Sequence, residues 1–323
     1  MNRPTVVILC PQAFKFTDHE ATVERPLLED VADLQTIWLD AGSPFPPAVL
    51  EAHALLLWHG PQITAEVLAR LRNCRAIIRN GVGFDSIDLA AAARAGIPVC
   101  NVPDYGTEEV ADHAIALLLA LYRQLFPLDR EAKQLRWTIA VQQKMRRLRT
   151  QTLGIVGLGR IGTATALRAK AFGFRVVFYD PYLPSGMHKA LGIERAGSLA
   201  ELLARADAVS LHCPLTAETR GMIGEKEVAA LRPGAFLVNT ARGDIVQNAP
   251  VFAALRRGHL AGAGLDVVEN EPLRTAEEAA TPNLICTCHA AFCSPEGLLE
   301  MRSTSAKIAR AALTGQPLWN RVN

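Results

Sequence analysis

Residues Thr152–Gly162 read T-L-G-I-V-G-L-G-R-I-G. A short apolar run enters Gly157, Gly159 and Gly162, and the helix-forming stretch Thr163–Ala171 leaves them. Strand, glycine turn and helix in that order make a dinucleotide-binding element. The first glycine allows a tight turn, the second lets the backbone approach a pyrophosphate, and the third lets helix and strand pack closely. The helix N-terminus then turns its amide dipoles toward the phosphates. With Leu158, Arg160 and Ile161 between the glycines, the loop is the candidate cofactor cradle. The next apolar run, Arg175–Tyr179, ends at Asp180. A carboxylate there takes the ribose hydroxyls and repels a 2′-phosphate, so the pattern predicts NAD rather than NADP.

Outward from this element, short β-rich runs alternate with helix-forming stretches. Upstream, Thr5–Cys10, Ala54–Trp58, Ala76–Arg79 and Ile97–Cys100 read as strands, with helices over Thr64–Arg72 and Ser86–Ala95. Downstream, strands are expected at Gly154–Val156, Arg175–Tyr179, Ala208–His212, Ala235–Asn239, Gly262–Asp266 and Leu284–Cys286. Such alternation marks parallel α/β sheets. An apolar helix is expected over Thr107–Phe126, a polar and basic stretch up to Thr150, and a last helix over Glu296–Thr314 behind Pro295. Pro103, Asp104 and Gly106 interrupt the pattern between two units. Two units also suit 323 residues, because a single core stops growing at roughly 250–300.

Charge and composition exclude several classes. The 34 basic and 32 acidic side chains nearly balance, which gives no general electrostatic reason to bind nucleic acid or an anionic membrane. The basic run Lys144, Arg146, Arg147 and Arg149 lacks aromatic interleaving and reads as a solvated face. The longest apolar stretch, Ala114–Tyr122, falls well short of the roughly 20 residues of a membrane-crossing helix. Val6–Cys10, with Pro11 behind it, is too short for a signal peptide. A cytoplasmic protein is therefore expected, its cysteines reduced. The segment C-T-C-H-A-A-F-C holds Cys286, Cys288, His289 and Cys293, but no second cluster completes a zinc site, and no metal is expected. Cys288, next to a histidine, is a candidate for oxidation.

Polar groups stand at or just beyond strand ends in the second unit: Arg242, Glu271 and His289. Ligands of open α/β sheets bind at those carboxyl ends. A histidine exchanges protons near neutral pH, a carboxylate beside it fixes its tautomer and favours its charged form, and a guanidinium grips a carboxylate with two hydrogen bonds. Beside a hydride carrier, the three suit oxidation of an alcohol adjacent to a carboxylate.

The stretches N-G-V-G-F-D-S-I-D (Asn80–Asp88), G-I-P-V-C-N-V-P (Gly96–Pro103), G-L-G-R-I-G (Gly157–Gly162), F-L-V-N-T-A-R-G (Phe236–Gly243), G-L-D-V-V-E-N-E-P (Gly264–Pro272) and C-H-A-A-F (Cys288–Phe292) occur in this order. Together they resemble the D-isomer-specific 2-hydroxyacid dehydrogenase family, and most of all its C-terminal binding protein branch of NADH-binding corepressors with their bacterial enzyme relatives. The resemblance implies two doubly wound Rossmann-like domains: a flavodoxin-like substrate domain from residues 1–102 and 295–323, and an NAD-binding domain from 103–294. It implies Arg242 as the substrate-binding arginine, Glu271 as the carboxylate partner and His289 as the acid/base. Val82 and Gly83 match the loop that holds the substrate carboxylate, and Arg79 an additional pocket arginine. Phe292 stands where corepressors carry a pocket tryptophan, and Tyr105 and Trp137 are further candidates to shape the pocket. Gly157–Gly162, Asp180, Cys213, Pro214, Thr219, Thr240, Ala241 and Asp266 fall on cofactor-contact positions. The implied partners are a small 2-oxo or 2-hydroxy acid and a second copy of the chain.

Two further departures accompany Phe292. The usual T-P-H is Thr287-Cys288-His289, and the usual V-D-E after the arginine is Val246-Gln247-Asn248. An enzyme is expected. The alternative is an NADH-sensing regulatory protein with little turnover, and its branch carries long tails where this chain ends at Asn323.

Overall fold

The apolar runs that alternate with helix-forming segments become the strands of two parallel sheets. The computed structural model describes residues 3–12, 20–40, 42–139 and 145–323, so Lys144 of the basic run lies outside the described residues. The chain divides into one unit of Met1–Gly106 with Cys293–Asn323 and another of Thr107–Phe292. The boundaries expected at 102/103 and 294/295 thus move to 106/107 and 292/293, the first coinciding with the start of the helix Thr107–Arg123.

The first unit holds β1 (Thr5–Cys10), β2 (Asp33–Trp38), β3 (Ala54–Leu57), β4 (Ala76–Arg79) and β5 (Val99–Asn101), in the order β2-β1-β3-β4-β5. All pairs are parallel. This is the flavodoxin-like order. β3 and β4 are buried along their whole length, as central strands covered on both faces require. The helix Pro295–Thr314 returns to this unit, where Arg302 grips the buried Glu24 and Arg310 pairs with Asp30. Asn323 then bonds the backbone of Val99 and Ile97, fastening the chain end beside β5.

The second unit holds β6 (Thr152–Val156), β7 (Arg175–Tyr179), β8 (Glu194–Arg195), β9 (Ala208–Leu211), β10 (Ala235–Asn239), β11 (Leu260–Leu265) and β12 (Leu284–Cys286). The order β12-β11-β10-β9-β6-β7-β8 is the doubly wound Rossmann arrangement with one strand added. Chain order reverses between β6 and β9, and ligands of open α/β sheets bind at such a switch point. Leu153, Ile155, Phe178, Phe236 and Val238 form one core layer against Leu117, Leu118 and Leu121 of the helix Thr107–Arg123. Each such side chain is worth roughly 1.5–3 kcal/mol when fully buried.

Three elements differ from the sequence expectation, among them the two-residue edge strand β8, too short to show as an apolar run. The helix expected over Thr107–Phe126 stops at Arg123, because Gln124 takes φ +56° and its buried amide bonds Leu121 O; a second helix, Leu125–Lys133, then begins inside the stretch expected to be irregular. β2 was not expected, since D-L-Q-T-I-W mixes polar with apolar residues, is nowhere fully buried as befits an edge strand, and forms no long apolar run. Among the described residues no helix is long and apolar enough to cross a membrane.

Candidate active site

The cofactor cradle is built by close backbone packing. β6 is followed by Gly157 at φ +86°, and a Cβ there would sit 2.7 Å from Cys213 N. At Gly162 a Cβ would sit 2.1 Å from Gly157 O, so only glycine lets the helix Arg160–Ala171 start against the turn. Gly159 caps that helix, and a Cβ there would meet nothing within 4 Å. The open space lies where the dinucleotide reading requires a pyrophosphate, beside Arg160, Ile161 and Gly162, whose amides precede the first intrahelical bond, from Thr163 N to Gly159 O.

Asp180 follows β7 with its carboxylate already oriented: Oδ2 accepts Leu158 N at 2.9 Å and Oδ1 accepts Tyr182 N at 3.0 Å. Past β9, burial pushes the Cys213 thiol up to about 11, so it is neutral at working pH. Pro214 O accepts the Thr219 hydroxyl at 2.6 Å, closing the loop that both residues occupy. At the end of β10 the buried Thr240 hydroxyl has no partner among the described residues, and Ala241 N bonds the Asn239 side chain at 3.0 Å. A Cβ-free cradle, an oriented carboxylate and an orphaned hydroxyl fit a bound dinucleotide.

Arg242 follows on the same turn. Asn239, fully buried, donates from Nδ2 to Arg242 O at 2.9 Å, and Arg242 Nη1 donates to Ala241 O at 2.7 Å. Next in sequence, Gly243 lies so close to the segment carrying Glu271 that a Cβ would fall 1.9 Å from Val268 O. That segment is held by a reciprocal pair, Asn248 N to Glu269 Oε2 at 3.0 Å and Glu269 N to Asn248 Oδ1 at 3.2 Å. The departure at Asn248 thus still supplies a partner for the segment that bears Glu271.

Glu271 and His289 meet: His289 Nδ1 lies 2.9 Å from Glu271 Oε2. His289 has φ +52°, the left-handed region that non-glycine residues rarely take. Its loop is folded around Asp266. The His289 amide donates to Asp266 O at 2.8 Å, Ala290 N to Oδ1 at 2.9 Å and Ala291 N to Oδ2 at 3.0 Å. The Thr287 hydroxyl also bonds Oδ1. Asp266, expected at a cofactor contact, is therefore also the post on which the histidine loop hangs. The Phe292 ring stands edge-on to the His289 imidazole, centroids 6.3 Å apart.

The other expected substrate residues lie in the first unit. Arg79 is buried and donates to the carbonyls of Asn80 and Leu57. The loop with Val82 and Gly83 is pinned by Asn101 Nδ2 to Val82 O at 2.7 Å and by Val102 N to Gly81 O at 3.1 Å. Tyr105 is buried in that unit, whereas Trp137 in the second is 97% exposed. Sequence reading missed Asn239, Gly243, Asn248, Thr287 and His113 as supports of the site. Only Asn239 and Gly243, inside N-T-A-R-G, carried a local signal.

Residues 115–291 match the family model described as D-isomer specific 2-hydroxyacid dehydrogenase, NAD binding domain. The chain is 38% identical over 295 residues to the glyoxylate reductase of Korarchaeum cryptofilum (strain OPF8), covering 89% of each. It is 35% identical over 325 residues to C-terminal-binding protein 1 of Caenorhabditis elegans; that alignment takes in 98% of this chain and spans 44% of the relative's length. Among solved structures, D-lactate dehydrogenase from Aquifex aeolicus, complexed with NAD and lactic acid, superposes with a TM-score of 0.85 at 31% identity, covering 96% of both chains.

Proposed function

Because the chain belongs to the D-isomer-specific 2-hydroxyacid dehydrogenase family, we propose that it catalyses reversible hydride transfer between NAD(H) and a small 2-oxo or 2-hydroxy acid. The observation that carries the reading is the His289–Glu271 pair, 2.9 Å apart, on the unit that matches the NAD-binding model. Bound NADH supplies the hydride that reaches the 2-oxo carbon. His289 gives its proton to the carbonyl oxygen, from the ring nitrogen opposite the one facing Glu271. Glu271 orients the imidazole and keeps it in one tautomer. Arg242 takes the substrate carboxylate with two hydrogen bonds and polarises the carbonyl. Gly157, Leu158, Gly159, Arg160, Ile161 and Gly162 receive the pyrophosphate, Asp180 the ribose, and Cys213, Pro214, Thr219, Thr240, Ala241 and Asp266 the rest of the cofactor.

Phe292 bounds the space beside His289 and favours substrates with a short side group, in keeping with the glyoxylate reductase and D-lactate dehydrogenase relatives. A homodimer goes with this reading: Leu135, Trp137 and Ile139 lie exposed just past the helix Leu125–Lys133, itself without a buried residue. The test is NADH oxidation against glyoxylate, pyruvate, hydroxypyruvate and phenylpyruvate, with NADPH in parallel. A saturable NADH-linked rate that falls with side-group size is expected. Tight NADH binding with no turnover on any acid would favour the second reading, an NADH-sensing regulatory protein, which the similarity to C-terminal-binding protein 1 over 98% of the chain supports.

A further inference from the structure

We propose that His113, acting through Thr287, is a positioning residue that holds the Asp266 carboxylate and with it the loop bearing His289. His113 lies on the helix Thr107–Arg123, far in sequence from the residues it serves. Its Nε2 is 3.0 Å from Thr287 Oγ1 and 3.8 Å from Asp266 Oδ1. The Thr287 hydroxyl has one hydrogen, and an ionised carboxylate can only accept; that hydrogen goes to Asp266. Thr287 Oγ1 must then accept from His113, which puts the histidine's proton on Nε2. The result is a directed chain, His113 Nε2–H to Thr287 Oγ1–H to Asp266 Oδ1, ending on the carboxylate that receives the amides of Ala290 and Ala291.

The arrangement explains a feature that the catalytic residues alone do not. His289 sits at φ +52° and has to be kept there by its surroundings. The buried Asp266 supplies the holding groups through its carbonyl and both carboxylate oxygens, and it must itself be fixed. Thr287 N to Leu265 O at 3.0 Å extends the β11–β12 ladder to the residue before Cys288, and the side-chain chain fixes the carboxylate from the helix side. The departure from T-P-H sharpens the need. Proline would restrict the backbone just before His289, and Cys288 does not. In this chain the polar relay from the helix takes over that restraint.

The inference rests on His289 being the acid/base, and the test separates the two. His113→Leu and Thr287→Val remove the relay; His113→Gln and Thr287→Ser keep a donor and a hydroxyl. Each variant is measured for hydrogen–deuterium exchange of the Ala290 and Ala291 amides, thermal midpoint, and steady-state reduction of the best 2-oxo acid. In His113→Leu the two amides should exchange at least tenfold faster while β10 amides hold. Its kcat should fall about tenfold with the KM for NADH within twofold, and His113→Gln should recover most of both. The double variant His113→Leu/Thr287→Val should be no worse than either single one. Unchanged amide exchange overturns the proposal whatever the activity, as does a Gln variant no better than Leu at equal thermal midpoint. Faster exchange with undiminished kcat overturns the link to His289. A wild-type protein that reduces no 2-oxo acid defeats the functional reading alone, and the exchange rates still decide the relay.

Discussion

The amide of His289 donates to the carbonyl of Asp266 at 2.8 Å while its ring nitrogen Nδ1 meets Glu271 at 2.9 Å, so the histidine is held at both ends of its own residue. Backbone and ring are both fixed from the connection between β11 and β12, which carries Asp266 and Glu271, while His289 itself follows β12. A left-handed residue costs of order 1–2 kcal/mol, and that cost is offset by the amides that the loop delivers to Asp266. The ring's remaining freedom is rotation about bonds that the Glu271 contact opposes.

Removing either partner of that contact should separate chemistry from binding. General acid–base groups contribute about 10²–10⁴ in rate. His289→Ala is expected to lower kcat for 2-oxo acid reduction by that range, with NADH affinity, read by fluorescence titration, left intact. Glu271→Gln keeps an acceptor oxygen and loses the charge, so a smaller fall is expected. Near wild-type turnover in His289→Ala would remove the residue from its assigned role.

Glycine substitutions should divide the cradle from the scaffold. At Gly243 an added Cβ lands on Val268 O, and at Gly162 on Gly157 O, both backbone atoms that cannot swing aside. Overpacking typically costs about 1–3 kcal/mol, so Gly243→Ala and Gly162→Ala should lower the thermal midpoint measurably. At Gly159 the Cβ enters open space, so Gly159→Ala should keep its midpoint and lose NADH affinity by about tenfold. Equal destabilisation by all three would contradict the assignment of that space to the cofactor.

The glycine loop, Asp180 and the order of Arg242, Glu271 and His289 could be read in sequence because each sits at a strand end, and buried parallel strands announce themselves as apolar runs. β2 escaped because an edge strand need bury only part of itself. The break at Gln124 escaped because a positive φ at glutamine has no compositional mark. Asp266 was read as a cofactor contact and not as an anchor, since its hydrogen bonds to Thr287, Ala290 and Ala291 depend on how the loop after β12 folds back. His113 and Asn248 belong with it. Their partners are distant in sequence, and long-range polar contacts leave no periodicity.

Cofactor choice should turn on Asp180. Its two oxygens accept Leu158 N and Tyr182 N, which orients the carboxylate at the end of β7. Asp180→Ser removes the charge that would repel a 2′-phosphate, and a fall in NADH affinity with a gain in NADPH-linked kcat/KM is expected. An unchanged preference would place the discrimination elsewhere.

Self-association should depend on the exposed segment past Lys133. Leu135 is 94% and Trp137 97% exposed, an arrangement that a free monomer rarely maintains. Sedimentation of the wild type should give a dimer, and Leu135→Glu/Trp137→Glu a monomer that keeps its thermal unfolding cooperative. A monomeric wild type would end the proposal.

Acid should act on the fold through His212. Its backbone continues the sheet, with His212 N to Val156 O at 2.8 Å, and its Cβ packs beneath the glycine turn, 3.4 Å from where a Gly162 Cβ would stand. Nε2 meets the buried Ser210 hydroxyl at 2.8 Å, Nδ1 has no partner among the described residues, and burial pushes the imidazole down to about 3. A histidine whose folded value lies below its unfolded value of roughly 6.5 gives its full stability above that pH and loses it as pH falls toward the folded value. The unfolded chain takes up the proton and the folded chain refuses it. Between pH 6 and pH 5 this one group should cost about 1 kcal/mol, a shift of about 2–4 °C in thermal midpoint for a unit of this size. His212→Gln cannot ionise, and any loss from its altered packing is independent of pH. The midpoint difference between wild type and His212→Gln should therefore shrink on acidification from pH 6 to pH 5. A constant difference would show that the folded protein admits the proton and that the ring is not sealed.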